Sequence, residues 1–431
     1  MNNILTKAGV VVTNTCFRSA AAGVAATLIA LPAFAQEFER DRNQSVMERP
    51  RPEYDPLGKR LGGFTAFPSL TTSAIYDDNV FAAPTDEVND VILRGLADLR
   101  VTSNWSVHAL EFRGTLGSDK FLDLDTEDRT DITLSAAGRV DVLRSTQIGG
   151  EVSHQDLMED RTASNAPRNA VKPVRYDVDS IEAYAQRESG RLRLRGEVDF
   201  QELDYDNVYN AAGAILDQNF RDRDLFTATV RSELAISPAT AIFLEGAYNE
   251  FSYKQDLVGF GSRDSEGYAA LGGVSFDITQ LMRGEVAVGY RTQSYDNPLL
   301  SDSNSLAARG NVQWFPTPLL TVVLDASRTE ESSDLATSPG YLASAVGISA
   351  DYELLRNLII SAGLSYHEDD YKGVDRTDSH WNRSLSATYM LNRNWAVSAN
   401  YAYLEQDSSG LQAGVSDYDQ NRLGLAVRFQ Y

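Results

Sequence analysis

The chain has 431 residues, a formal net charge of −22 at pH 7 and a mean hydropathy of −0.31. Nucleic acid is a poor candidate partner for so acidic a chain, because binding to phosphates depends on Lys and Arg. No apolar run after residue 35 is long enough for a membrane-spanning helix. A transmembrane β-barrel has such a composition, because only alternate residues of each strand meet lipid. A soluble secreted β-protein has it too, so the spacing of the segments has to decide.

Residues 1–35 have the parts of a secretory signal peptide. A basic region, an apolar run too short to span a bilayer and a small-residue cleavage site follow one another: Lys7 and Arg18, Ala20–Leu31, and Ala33-Phe34-Ala35. We expect cleavage before Gln36. The only cysteine, Cys16, precedes the apolar run, so the mature chain would have no disulfide and no thiolate ligand.

Residues 36–62 are polar, charged and proline-bearing, without a sustained apolar period. Such a composition cannot bury enough apolar surface to fold alone, so we expect a flexible periplasmic leader. The barrel itself is expected over residues 63–431.

From residue 63 onward, apolar and polar residues alternate along successive segments. In the segment 191–201, one face carries Leu192, Leu194, Gly196, Val198 and Phe200, and the other carries Arg191, Arg193, Arg195, Glu197, Asp199 and Gln201. The last nine residues, Leu423–Tyr431, alternate in the same way and end on an aromatic residue. Period-two alternation predicts strands with one apolar and one polar face. A final strand of this kind resembles the insertion signal of outer-membrane barrels, with Leu425, Val427, Phe429 and Tyr431 on its outward face.

Short and long connections alternate along the chain. The short ones are predicted at Ser103-Asn104, Leu143–Ser145, Glu188–Gly190, Ser237–Ala239, Thr279–Leu281, Pro316–Pro318, Glu353–Asn357 and Asn392–Asn394. The long ones are predicted at 77–90, 117–130, 155–173, 202–219, 252–265, 293–304, 329–340, 367–379 and 406–417. This order is typical of an antiparallel up-and-down outer-membrane barrel, with short periplasmic turns and longer extracellular loops. It predicts about 18 strands and periplasmic termini, or 16 strands if two weak segments such as 174–186 are misread.

Motifs before and within the first strand resemble a known family. They are Arg51-Pro-Glu-Tyr-Asp-Pro-Leu-Gly-Lys-Arg-Leu-Gly-Gly-Phe64, Pro68-Ser69-Leu70 and Tyr76-Asp77-Asp78-Asn79-Val80-Phe81. They are similar to the putative β-barrel porin 2 family of Gram-negative outer-membrane proteins, and the resemblance extends as a pattern over the mature chain. It implies an outer-membrane barrel. Some members are associated with exopolysaccharide export, which nothing in these residues indicates.

The polar faces of the strands predict the lining of a lumen. The inward positions are Arg94, Asp98, Arg100, Arg139, Asp141, Arg191, Arg193, Arg195, Glu197, Asp199, Glu245, Arg283, Glu285, Arg291 and Arg309. Barrels of 16–18 strands enclose a water-filled channel unless a loop or domain plugs it. The loop at 155–173 is long enough to fold inward as a constriction.

Nothing in the sequence points to catalysis, a metal site or a cofactor. The four histidines are scattered, and His367-Glu-Asp-Asp370 is more simply a solvated loop than the water-activating group of a barrel protease. Acidic residues crowd the first two loops, but their spacing matches no calcium-binding loop, so only diffuse cation binding is expected there.

The sequence therefore predicts a passive channel for hydrophilic solutes, with selectivity from pore width and the charged lining. Two alternatives remain open: a conduit for an exported polysaccharide, docking a periplasmic partner through residues 36–62, and a structural or adhesive barrel without an open pore. The expected partners are outer-membrane lipid, lipopolysaccharide and the barrel-assembly machinery.

Overall fold

The structure is a computed structural model that describes residues 44–163, 166–167, 169–257, 259, 261–278, 281–333, 338–412 and 417–431. The predicted signal peptide and cleavage site lie outside these residues. Within them, no helix is long and apolar enough to cross a membrane.

Eighteen long strands make up nearly the whole fold of the described residues. They are β1 (Phe64–Asp77), β2 (Asp90–Ser103), β3 (Ala109–Phe121), β4 (Arg129–Leu143), β5 (Thr146–Met158), β6 (Arg175–Ser189), β7 (Leu192–Tyr205), β8 (Arg223–Ser237), β9 (Thr240–Tyr253), β10 (Ser265–Ile278), β11 (Met282–Tyr295), β12 (Ser303–Thr317), β13 (Leu320–Ser332), β14 (Gly340–Leu355), β15 (Leu358–Tyr371), β16 (Thr377–Met390), β17 (Trp395–Ser409) and β18 (Tyr418–Gln430). A short strand, Lys59–Leu61, pairs with the start of β1, and two two-residue strands pair within the loop 206–222.

Each strand pairs antiparallel with the next, and β18 pairs antiparallel with β1, with Ser69 opposite Gln430. The sheet is therefore a closed barrel without a free edge, and the predicted fold class and the count of 18 strands are confirmed. The weakest predicted segment, 174–186, corresponds to β6.

Short and long connections alternate as the sequence predicted. At the end of the barrel that we call the turn end, the strands are joined by residues 104–108, 144–145, 190–191, 238–239, 279–281, 318–319, 356–357 and 391–394. At the opposite end, the loop end, they are joined by 78–89, 122–128, 159–174, 206–222, 254–264, 296–302, 333–339, 372–376 and 410–417.

The outer face of the barrel is apolar. Leu194, Val230, Leu244, Val288 and Leu425 are each between 46% and 71% exposed, as expected for side chains that face lipid rather than a core. Aromatic residues lie at the ends of this apolar belt, with the exposed Trp105, Trp314 and Trp395 at the turn end, and Tyr76, Tyr290 and Tyr401 toward the loop end.

Several other aromatic residues near the strand ends lie inside the barrel. Tyr205 is 7% exposed and stacks on Tyr176 with ring centroids 5.2 Å apart. Tyr253 lies 4.1 Å from the guanidinium of Arg263, and Phe315 is 7% exposed. Proximity to a strand end does not decide which face a residue occupies, because adjacent residues point to opposite faces.

Candidate pore and its two mouths

Ion pairs that bridge distant strands identify the inner face of the barrel. Arg231 on β8 lies 2.6 Å from Glu285 on β11, and Arg309 on β12 lies 3.0 Å from Glu245 on β9. Strands are about 4.8 Å apart along the sheet, so side chains three strands apart meet only on the concave side. The charged face is therefore the lumen face, and the apolar rows lie outside.

These residues belong to one network along β7–β12. Arg309 also lies 2.9 Å from Glu285, and Arg231 lies 3.5 Å from Glu245 and 3.4 Å from Glu233. Each guanidinium in this network has carboxylate partners, as a low-dielectric wall requires. This arc of the wall is internally neutralised.

The other predicted lining residues, with one exception, also occupy inward strand positions. Their polar contacts include Arg94–Asp119 at 2.5 Å, Asp98–Thr115 at 3.1 Å, Arg139–Asp141 at 3.1 Å, Arg193–Glu188 at 2.9 Å, Arg195–Glu197 at 2.6 Å, Asp199–Gln201 at 2.8 Å, Arg283–Glu48 at 2.6 Å and Arg291 with the carbonyl of Glu330 at 3.4 Å. Arg100 lies 4.8 Å from the ring of Phe67. The exception is Arg191, which is exposed in the turn 190–191 and does not line the wall.

The opposite arc, β14–β18, is polar but less charged. Its inward positions include Ser349, Ser361, Ser365, Ser384, Ser386, Thr388, Ser398 and Asn400. Hydroxyl and amide groups both donate and accept hydrogen bonds, so this surface suits water and uncharged polar solutes.

At the turn end, residues 44–57, which we call the strap, pack against the inside of the wall. The amide of Val46, a residue with no exposed surface, donates to the Thr321 hydroxyl at 2.9 Å. Arg49 and Arg51 lie 3.1 Å and 3.0 Å from the Glu353 carboxylate, which is 5% exposed. Burial lowers the pKa of the Arg51 guanidinium, and Glu353 opposes that fall. The strap therefore narrows the turn-end mouth on the side of β11–β18.

The expectation of a flexible leader is accordingly wrong for residues 44–57. The composition argument considered apolar burial only, whereas the strap is held by ion pairs and by backbone carbonyls. Arg356 donates to the carbonyl of Pro50, Arg393 to that of Pro52, and Gln430 to that of Tyr54.

At the loop end, three loops turn inward over the lumen. Ala82 of the loop 78–89 packs with Ala402, Leu404 and Tyr418 on the inner side of β17 and β18. The loops 159–174 and 206–222 pair with each other through Ala170 and Asn210, and they pack on inward residues of β7. They narrow this mouth in the way expected of the loop predicted at 155–173.

Buried charges fasten the loop 159–174. Arg161 lies 2.7 Å from Glu127 and 5.6 Å from the Phe81 ring, so it joins three loops. Asp160 lies 3.4 Å from Arg129. Burial by itself would raise the pKa of Asp160, but Arg129, Arg422 and Arg94 hold it below its usual value of 3.8.

The final strand presents its predicted face outward. Leu425, Val427, Phe429 and Tyr431 are between 38% and 65% exposed, and the Phe429 ring lies 5.0 Å from that of Trp395. This face is continuous with the apolar belt.

The profile of one family, described as "Putative beta-barrel porin 2", matches residues 51–431. The chain belongs to this family. The resemblance drawn from residues 51–81 is therefore confirmed, and the protein is an outer-membrane β-barrel porin. No curated protein matches this porin in sequence.

Solved structures similar to this porin include three proteins of Pseudomonas aeruginosa. OpdK, crystallised with vanillate, is 12% identical, with a TM-score of 0.43 over 85% of this chain and 99% of that chain. OccK2 (OpdF) is 11% identical, with a TM-score of 0.47 over 85% and 98%. A mutant of the ferric enterobactin receptor PfeA is 8% identical, with a TM-score of 0.46 over 86% and 81%.

The sequence analysis missed two central members of the wall network, Arg231 and Glu233. The signal was present, because both alternate with the apolar residues Phe226, Ala228 and Val230 of the same strand. It also missed the strap contacts of Glu48 and Glu353. Their partners are more than 200 residues away in sequence, so no local pattern marks them.

Proposed function

We propose that this porin conducts small hydrophilic solutes by passive diffusion, without catalysis, along a path between the charged arc β7–β12 and the hydroxyl-rich arc β14–β18. The observation that carries the proposal is the contrast between the two faces of the wall. Charged and hydroxyl side chains line the inside, whereas apolar side chains cover the outside. A hydrated interior lowers the cost of moving a polar solute across the membrane.

We place the loop end outside the cell and the turn end, with both termini, in the periplasm. The support is the asymmetry of the connections, since outer-membrane barrels have short periplasmic turns and longer extracellular loops. The exposed apolar residues at the end of β18 would be read by the barrel-assembly machinery, and the apolar belt would contact lipid and lipopolysaccharide.

The test is the conductance of refolded Gln36–Tyr431 in planar bilayers. We expect stable steps that scale with the salt concentration. Barrels that insert, as judged by heat-modifiable gel migration, but pass no current would contradict the proposal and favour a structural barrel. Orientation is tested by proteolysis of intact cells, in which a protease site inserted in the loop 254–264 should be cut and one inserted at 356–357 should be protected.

A further inference from the structure

The inner wall of β2–β7 carries charges that are not neutralised in the way that those of β7–β12 are. In the register of β2 and β3, Arg100 stands directly opposite Arg113. Both are inward positions, and like charges directly opposite each other destabilise a sheet. Neither guanidinium has a carboxylate within 4.0 Å in the part of the chain that the structure describes.

The register extends this arginine pair into a row of hydrogen-bond donors. Arg113 stands opposite Ser135, Ser135 opposite Ser153, and Ser153 opposite Ser180. The hydroxyls of Ser153 and Ser180 are 2.7 Å apart. Because the strands of a barrel tilt against its axis, a row perpendicular to the strands rises along the wall. The donor row therefore runs obliquely from the arginines, near the turn end, toward the loop end.

A parallel row of carboxylates lies two residues nearer the turn end. Glu151 stands opposite Glu182, and Glu182 opposite Asp199. Glu111 on β3 lies at the same level. It stands opposite Ala137 on β4, and Ala137 stands opposite Glu151 on β5. Two residues along a strand span about 6.6 Å, so the acceptor row follows the donor row at that distance.

Two of these carboxylates, Glu111 and Glu182, are poorly satisfied by the protein, whereas Asp199 accepts a hydrogen bond from Gln201 and Glu151 one from Ser135. Glu111 is 9% exposed, and no hydrogen bond or ion pair among the described residues involves it. Glu182 reaches a guanidinium only at 3.8 Å, that of Arg195, and its Oε1 is buried without a hydrogen-bond partner. An inward, buried carboxylate without a partner is costly unless a ligand or water supplies one.

We propose that the two rows form a guide for small zwitterions, solutes that carry a carboxylate and an ammonium group. The guanidiniums of Arg100 and Arg113 would hold the carboxylate, while Glu111 and Glu151 would hold the ammonium. An anion alone would face the neighbouring carboxylates, and a cation alone would face the arginine pair. The inference rests on the proposed function, because it assigns a class of solute to the same pore.

The experiment compares two constitutional isomers of equal mass, zwitterionic β-alanine and uncharged lactamide. Proteoliposomes that contain Gln36–Tyr431 are placed in isosmotic solutions of each solute at neutral pH. The measured quantity is the swelling rate in β-alanine divided by the swelling rate in lactamide. We expect a ratio above one for the wild type. Arg113→Gln and Glu151→Gln should each lower it about two- to fivefold, the effect of losing one partly exposed ion pair.

Asp351→Asn is the matched control. Asp351 faces inward on β14, in the arc β14–β18, and accepts a hydrogen bond from the Ser361 hydroxyl. It should leave the ratio unchanged. The lactamide rate reports folding, because a misfolded variant loses both rates together. Equal ratios in the wild type and in both variants, or faster β-alanine entry in Arg113→Gln, would overturn the inference. If neither solute enters through the wild type, the proposed function itself fails.

Discussion

Glu353→Gln should release the strap and raise the conductance of the pore. Glu353 is 5% exposed and lies within 3.1 Å of both Arg49 and Arg51. Glutamine keeps the size of the side chain but removes its charge. The Arg51 guanidinium, which is 4% exposed, would then be buried without a compensating carboxylate.

The magnitude follows from the burial of the two pairs. Breaking a buried pair by removing one partner costs roughly 3–5 kcal/mol, and an exposed pair contributes about 0–1 kcal/mol. Because Arg49 is 19% exposed, about 2–4 kcal/mol of the docking free energy should be lost. At about 1.4 kcal/mol per tenfold change, the ratio of detached to docked strap should rise about 30- to 700-fold.

Single-channel recording measures this change. A variant lacking residues 44–57 defines the conductance of the unobstructed turn end, and we expect Glu353→Gln to visit that level. Glu48→Gln is the graded control, because Glu48 is 49% exposed where it meets Arg283, so its effect should be smaller. The reasoning is refuted if the truncated barrel conducts no better than the wild type. It is also refuted if Glu353→Gln never reaches the truncated level.

Three further changes test other parts of the structure. Leu194→Arg, on the outer face, should lower the free energy of unfolding measured in urea by about 2–4 kcal/mol. Arg193→Leu, on the inner face, should lower it less, and equal losses would contradict the assignment of the two faces of β7. Deleting Phe429–Tyr431 should lower the amount of folded barrel in outer membranes, because the closing strand loses its Trp395 contact, and a normal amount would count against this. Because its pKa is held below 3.8, Asp160 should anchor its loop at neutral pH and release it only in acid below that value, where the carboxylate takes up a proton; a rise in conductance that is already complete at about pH 5 would rule this out.

The sequence predicted the barrel because a membrane wall imposes one rule on every strand. Alternate residues face lipid and water, so Leu192, Leu194 and Val198 lie on the outer face of the strand, and Arg193 and Arg195 lie on the inner face. Connection lengths then gave the strand order and closure, since each strand pairs with the next. The same alternation placed the lining residues, and it fails at Arg191, because a turn residue no longer follows the pleat.

The remaining features depend on contacts that no local pattern encodes. The inward orientation of Tyr205 follows from its parity with Arg193, but its packing beneath Arg221, 4.0 Å away, depends on how the loop 206–222 folds back. The pairing of Glu159 with Arg221 spans 62 residues. Long-range ion pairs of this kind arise from the assembled three-dimensional arrangement, so only the structure shows them.

The positions of the strap's anchors along the chain have a consequence for the order of folding. Its contacts with Thr321, Glu353, Arg393 and Gln430 all lie in the last third of the chain, although the strap precedes β1. Contacts of such sequence separation form late, because the entropy of closing so long a chain must be offset first. The strap therefore has no binding surface on a partly assembled sheet. An ordered strap would indicate that the barrel is complete.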